Sequence, residues 1–272
     1  MKQKIAIQGV KGAFHEEAAV HVFGNNIEIV SCLTFQEEIG KLENGEADAG
    51  IMAIENTISG TILNNLELIR TSSACIVGEV YLRIHQNLGG IQDASISELR
   101  EVRSHYMALN QCRDFFGVNP EVHLVEGQDT ALCIREVAEL QDPTIAAIGS
   151  RLAIEQYGLE LLVENIETDP NNFTRFAVLK LKSDVELGNK VSLSLVLKHE
   201  SGALSKVLTL LHLLNVNLTK IESVPMVGKP FQYRFFLDLI LSKNVSFESM
   251  KETLTPLAEE LNIMGRYKSM NE

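Results

Sequence analysis

Lys4-Ile5-Ala6-Ile7-Gln8-Gly9-Val10-Lys11-Gly12-Ala13-Phe14 opens the chain as a short apolar strand, a glycine turn and the first residue of a helix. Glu16 and Glu17 fall in that helix's first turn, where acids are favoured. The pattern then repeats. Ile27 to Ser31 predicts a second strand, Phe35 to Leu42 a helix, Ala49 to Ile54 a third strand running into Glu55-Asn56-Thr57, and Leu63 to Ile69 a further helix. Such alternation predicts an α/β fold, a mainly parallel sheet covered by helices. Ala74 to Ile84 predicts a strand that crosses to a new unit. There, strands at Val102 to Ser104, Val122 to Val125 and Ile145 to Ile148 are separated by helices at Ala108 to Phe116, Thr130 to Leu140 and Arg151 to Tyr157. After the polar turn Asp169-Pro170-Asn171-Asn172, Phe173 to Leu181 alternates as a closing strand.

Ser183 to Asn189 is polar and predicts a linker, and the character of the chain changes from Lys190. Val191, Leu193, Leu195 and Leu197 alternate as a half-buried strand, and Leu204, Val207, Leu208, Leu211 and Leu214 form one helical face. Strands at Asn217 to Ser223 and Phe231 to Leu241, a helix from Phe247 to Leu261 kinked or restarted at Pro256, and a last strand at Ile263 to Lys268 complete a βαββαβ order, the ferredoxin-like arrangement.

With 272 residues, 45% of them hydrophobic, the chain suits two domains. It shows no run of eighteen apolar residues and no signal-peptide core, so a cytoplasmic protein without a membrane partner is expected. Cys32, Cys75, Cys112 and Cys133 lie in apolar segments with no CxxC pair, which predicts reduced thiols and no metal. The net charge of −12 argues against nucleic acid. Residues 1–187 carry 14 Lys+Arg and 28 Asp+Glu (−14), and residues 188–272 carry 10 and 8 (+2), so an anion held in the first region depends on a few placed cations and backbone donors.

His15-Glu16-Glu17 is not HExxH, because Ala19 stands where the second histidine belongs. Gly9 and Gly12 by themselves read as a tight strand-to-helix turn. Ser104 and His105 are adjacent on a strand and point to opposite faces, which excludes a nucleophile–base pair. Glu55-Asn56-Thr57 stands at the carboxyl end of a strand, where open α/β sheets bind ligands, though Thr57 also suits a helix N-cap. In Thr174-Arg175-Phe176 the arginine offers a forked cation for a carboxylate beside a hydroxyl; residue types alone favour a structural ion pair.

Taken in order, these segments resemble prephenate dehydratase over essentially the whole chain. Gly9 to Phe14 resembles that family's opening turn, Ile54 to Gly60 its IENS-x-x-G segment, and Glu79 to His85 its crossing strand. Ser104-His105 with Ala108-Leu109 and Gln111-Cys112 resembles SHPQALxQC, Asp129-Thr130-Ala131 the short (S/D)TA motif, and Glu164-Asn165-Ile166 with Asn171 to Phe176 the ENI and NNxTRF stretch. Ser201 to Leu204 and Asn217 to Pro225 resemble the GAL and NLTKIESRP motifs of an ACT domain. Three departures stand out: Ala13 for Ser or Thr, Tyr106-Met107 for Pro-Gln, and Val224 for the regulatory arginine.

The resemblance implies a cofactor-free carbon–oxygen lyase that turns prephenate into phenylpyruvate, with Thr174 catalytic and Arg175, Phe176, Asn56, Thr57, Gly60, Ser104 and Glu55 around the substrate. It implies a two-lobed catalytic region like a type 2 periplasmic binding protein over residues 1–182, with lobes of about 1–76 plus 160–182 and of 77–159. It further implies an ACT domain at 190–272 that binds L-phenylalanine through Gly202, Ala203, Leu204, Asn217, Leu218, Glu222 and Ser223 and pairs the chain into a homodimer or homotetramer. No chorismate mutase helix is expected before Lys4. Arogenate dehydratase and a non-catalytic amino-acid-binding regulator are the alternatives.

Overall fold

A computed structural model of the chain describes residues 2–181 and 188–270, so of the linker expected at Ser183 to Asn189 only Gly188 and Asn189 lie among the described residues. The expected alternation appears as β1 (Gln3–Gln8), α1 (Phe14–Phe23), β2 (Ile27–Cys32), α2 (Phe35–Glu43), β3 (Ala49–Asn56), the two-residue β4 (Gly60–Thr61), α3 (Leu63–Thr71) and the long β5 (Ala74–Arg83). Next come β6 (Asn87–Gly90), β7 (Glu101–His105), α4 (Tyr106–Gln111), α5 (Arg113–Gly117), β8 (His123–Gly127), α6 (Thr130–Leu140), β9 (Ile145–Gly149), α7 (Arg151–Gln156), β10 (Glu160–Val163) and β11 (Phe173–Leu181). The chain ends with β12 (Lys190–Leu197), α8 (Ala203–Leu213), β13 (Asn217–Pro225), β14 (Tyr233–Ile240), α9 (Phe247–Leu254) and β15 (Ala258–Tyr267). Two compact units result, Met1–Gly60 with Val80–Phe176 and Thr61–Glu79 with Ala177–Glu272. The chain passes from one to the other three times, within β4, within β5 and within β11.

The first unit contains two sheets. In one, β1 lies parallel to both β2 and β3 and β11 follows β3, giving the order β11-β3-β1-β2. Ile5, Ile7, Ile51, Met52 and Ile54 are fully or almost fully buried there, because helices cover these strands and leave no face for water. The other sheet has the order β10-β6-β9-β7-β8. Asn87–Gly90 carries no β-branched residue, yet it is a buried central strand, because neighbouring side chains fill the space a Cβ would need: one added at Gly89 would meet Ile154 Cγ1 at 2.7 Å, and at Gly90 Leu162 Cδ1 at 2.8 Å. Leu161 and Val163 pair with Gly89 and Leu88, so the return crossing follows Val163 rather than falling near residue 160. The helix expected from Ala108 to Phe116 is two short helices that meet at Cys112.

The glycine turn before α1 is a close junction between helices. Gly12 has φ +85°, and a Cβ there would lie 2.5 Å from Ala153 Cα on α7, so no larger residue fits. Ser150 Oγ donates to the Gly12 carbonyl at 2.5 Å, and Ser150 also caps α7 by accepting from Ala153 N. Ala13, the N-cap of α1, offers no side-chain cap; the Glu16 carboxylate reaches back to Gly12 N at 2.6 Å instead.

In the second unit, β12, β13, β14 and β15 pair antiparallel in the order β13-β14-β12-β15, which is the ferredoxin-like order the sequence predicts. Val191, Leu193, Leu195 and Leu197 meet Leu211 of α8, Leu237 and Leu239 of β14, and Met250 and Leu254 of α9. Each such side chain contributes roughly 1.5–3 kcal/mol by leaving water. The helix expected to reach Leu261 stops at Leu254. Pro256, lacking an N–H, sits in a 3-10 turn, and Ala258 starts a strand because Leu261 and Ile263 pair with Leu195 and Leu193. No helix among the described residues is long and apolar enough to cross a membrane.

Candidate active site

The end of β3 and the start of β11 meet in the first unit, and their polar side chains lock together. Asn56 Oδ1 accepts from Ile58 N (3.0 Å) and Ser59 N (2.9 Å), which fixes the orientation of its amide. Its Nδ2 is thereby the donor, to Asn172 Oδ1 at 2.7 Å and to Thr174 Oγ1 at 3.0 Å. Asn172 Nδ2 in turn donates to Gln111 Oε1 at 2.9 Å, and Gln86 Nε2 donates to the same oxygen at 2.9 Å. Asn56, Asn172, Thr174 and Gln86 are all buried. A ladder of carboxamides therefore ends on the threonine, and its polarity matters: Thr174 Oγ1 receives a hydrogen bond from Asn56, so its own proton remains to be given to a group the ladder does not supply.

Thr57 ties the two strands together. Its hydroxyl donates to the Asn171 carbonyl (2.8 Å) and accepts from Phe173 N (2.9 Å), while Thr57 N donates to the Phe173 carbonyl (2.9 Å). It caps no helix, since α3 starts six residues later at Leu63. Side chains alternate along β11, so Arg175 faces away from Thr174. Arg175 is only 2% exposed; its Nη1 lies 3.4 Å from Glu55 Oε2, and its guanidinium lies 5.8 Å from the centroid of the Tyr81 ring. The Glu55 side chain is 39% exposed, so this ion pair reaches from the interior to an open edge.

Other expected site residues fall elsewhere. Phe176 is 1% exposed and packs edge-to-face on His15, 5.0 Å between centroids, as a core residue. Ser104 is fully buried, and its hydroxyl donates to the Ile148 carbonyl at 2.8 Å, which links β7 to β9. Gly60 is exposed, with φ +80°, and starts β4 after the turn at 57–59. His105 Nδ1 accepts from Met107 N and caps α4. Gln86 and Gln111 are functional candidates that sequence reasoning passed over. Gln111 was visible only as part of a motif, and nothing local marked Gln86.

The titratable groups around this site shift toward their neutral forms. Burial lowers His15 to about 4. Burial raises Glu17 to about 7, against hydrogen bonds from Ser150 and Leu152 that favour the carboxylate. Burial likewise raises Asp129, opposed by the Leu132 and Ala131 amides, and Glu38 is raised well above the usual carboxylate range.

In the second unit, the expected effector residues do not converge within one chain. Gly202 is the left-handed N-cap of α8, and Ala203 and Leu204 line a cavity of about 150 Å³ with His199, Phe231 and Tyr233. Asn217 lines a separate cavity of about 720 Å³. Leu218 packs on the core, Ser223 is exposed on β13, and Glu222 accepts from Thr61 Oγ1 at 2.8 Å.

The family model of prephenate dehydratase matches residues 5–184. The chain belongs to the prephenate dehydratase family. The bifunctional chorismate mutase/prephenate dehydratase of Aquifex aeolicus is 35% identical over 271 residues, covering 98% of this chain and 74% of that protein. Among solved structures, the prephenate dehydratase of Arthrobacter aurescens in complex with L-Phe has a TM-score of 0.88 at 27% identity, covering 98% of this chain and 90% of that one. GqqA, described as a novel type of quorum-quenching acylase, has a TM-score of 0.89 at 27% identity and covers 99% of both chains. The fold is thus that of prephenate dehydratases, the type 2 periplasmic-binding-protein class that the motifs imply.

Proposed function

We propose that the prephenate dehydratase activity of this chain runs on Thr174 as hydroxyl donor and Arg175 as carboxylate ligand, and the observation that carries this reading is the hydrogen bond from Asn56 Nδ2 to Thr174 Oγ1. In the reaction, the bond from the ring to its carboxylate breaks and releases carbon dioxide. Its electron pair enters the ring as the bond to the distal hydroxyl breaks, and a proton completes water as that group leaves. A ring gaining aromaticity supplies the driving force. What the protein must add is geometry and one well-aimed donor. Asn56 occupies a lone pair of Thr174, which turns the threonine's proton outward toward the leaving oxygen. Arg175, on the opposite face of β11 from Thr174 but at the same end of the strand, is held by a partly exposed carboxylate, and a substrate that wraps the strand's start can take part of its contact with Glu55. Thr57 and the ladder from Gln86 hold these groups in place.

An acylase reading, which the GqqA likeness raises, finds less support. Acyl transfer needs a nucleophile whose proton passes to a base. Thr174 accepts from an amide and Ser104 donates to a main-chain carbonyl, and neither arrangement delivers the proton to a basic side chain.

For the second unit we propose an ACT domain over residues 190–272 beside a catalytic domain over residues 1–182, with L-phenylalanine as effector. The βαββαβ order, the left-handed Gly202 at the head of α8 and the L-Phe complex of the Arthrobacter aurescens relative support this. Because Ala203 with Leu204 and Asn217 line different cavities, an effector site that draws on both motifs needs a second copy, which favours a dimer or a dimer of dimers. The four buried cysteines form no disulfide among the described residues, which suits a reducing, cytoplasmic setting.

The test is turnover of prephenate to phenylpyruvate by the purified chain, with arogenate and added L-phenylalanine in parallel. Thr174→Ala is expected to abolish turnover without changing the melting profile. Wild-type turnover of arogenate alone would move the substrate assignment, and Thr174→Ala at wild-type rate would remove the threonine from the chemistry.

A further inference from the structure

The second unit holds a buried ion pair that the chemistry above does not use. Lys190 Nζ lies 2.9 and 2.8 Å from the two oxygens of Glu79, with the side chains 5% and 2% exposed. Lys190 starts β12 and is paired on one side with Ile240 and on the other with Tyr267, so its backbone is fixed in the middle of the sheet. Its ammonium also faces the Tyr267 ring at 6.0 Å, and the Tyr267 hydroxyl is 2.8 Å from Ser192 Oγ, which donates to Asp238 at 2.5 Å. Glu79 stands on β5, two residues before Tyr81. Residues two apart on a strand project to the same face, and Tyr81 is the ring beside the Arg175 guanidinium.

A buried ion pair is a poor source of stability, because the cost of desolvating both charges offsets most of their attraction. Its value lies in allowing one geometry and penalising others. We propose that the Lys190–Glu79 pair is a positioning element for the reaction: it clamps β5, and through that strand it sets the Tyr81 ring against which Arg175 rests. The inference depends on the reading of Arg175 as the carboxylate ligand.

Lys190→Met alone leaves Glu79 buried without its cation, so the decisive variant of the full chain is Glu79→Met/Lys190→Met, which removes both charges and keeps the volume filled. Its KM for prephenate should rise about tenfold, with kcat moved less than about threefold, the scale of coupling through a packed network. Tyr81→Leu should give the same shift, and combining it with the double variant should add nothing. Ser192→Ala, which loosens the same buried network without touching β5, should leave KM unchanged. An unaltered KM in the folded double variant, or an equal rise in Ser192→Ala, overturns the proposal. Glu79→Gln is read in the same way if the double variant does not fold. Absence of wild-type prephenate turnover breaks the functional reading instead; amide exchange at residues 80–83 then decides, faster exchange in the double variant supporting the clamp and unchanged exchange refuting it.

Discussion

The two units differ in the polar networks they bury. The first assembles carboxamides and a hydroxyl, Gln86, Gln111, Asn172, Asn56 and Thr174, and burial drives His15, Glu17, Glu38 and Asp129 toward neutrality. The second buries formal charges, Lys190 on Glu79 and Asp238 under Ser192. The neutral carboxamides have a set direction at Asn56, whose Oδ1 is held by Ile58 N and Ser59 N and whose Nδ2 faces Thr174, and they add no charge of their own to the site. Arg175 is the buried cation of this region, and the carboxylate it already meets is that of Glu55. The charged pair has strength of geometry but no such direction, which suits a clamp better than a proton path.

The contrast can be broken by adding or removing charge. The largest effect is expected for Lys190→Met, which strands Glu79 and should cost about 3–5 kcal/mol in denaturant unfolding, whereas Glu79→Met/Lys190→Met should be close to neutral. Asn56→Asp keeps the oxygen that Ile58 and Ser59 use but puts an acceptor against Thr174 and Asn172. It should lower kcat about 10²–10³-fold with little change in KM, the effect of losing one preorganised donor. Gln111→Leu, further up the ladder, leaves two buried amide donors without their acceptor and should cost about 1–3 kcal/mol of stability.

The smallest effect is in pH. Glu17, raised from 4.5 to about 7, binds a proton in the folded chain that the unfolded chain gives up, so its contribution is full below pH 4.5 and is lost as pH rises through 7. His15, lowered from 6.5 to about 4, has the opposite sign: its contribution is present above pH 6.5 and lost as pH falls through 4. Glu17→Gln should flatten by a few degrees the fall of melting temperature expected in wild type between pH 5 and 8, and leave the acid side unchanged. An equal slope in both proteins would mean that Glu17 is charged in the folded chain.

Much of this was legible in the sequence where a single period decides. The apolar strands β1 and β3, the helix α6 and the alternation of β11 were placed by residue pattern within a residue or two. Asn87–Gly90 was not, because its strand character comes from Ile154 and Leu162 pressing on its glycines and not from its own composition. The stretch after Pro256 was misread for a related reason: Leu257 and Leu261 keep a helical spacing, and only pairing with β12 makes the segment a strand. Thr174, Arg175 and Asn56 stood in motifs, but Gln86 and Gln111 act through partners 25 and 61 positions away, which no local pattern encodes. Phe176 and Ser104, by contrast, are motif residues whose burial and contacts no local pattern showed.

The most direct test of the central claim, that Asn56 works by aiming the Thr174 hydroxyl, is the kcat for prephenate of Asn56→Leu measured in a Thr174→Val background. If the ladder acts through that hydroxyl, removing Asn56 changes nothing further once the hydroxyl is gone, and the double variant turns over as slowly as Thr174→Val alone. A further loss as large as Asn56→Leu causes in the wild-type chain would contradict the account and give Asn56 a contact of its own with the substrate.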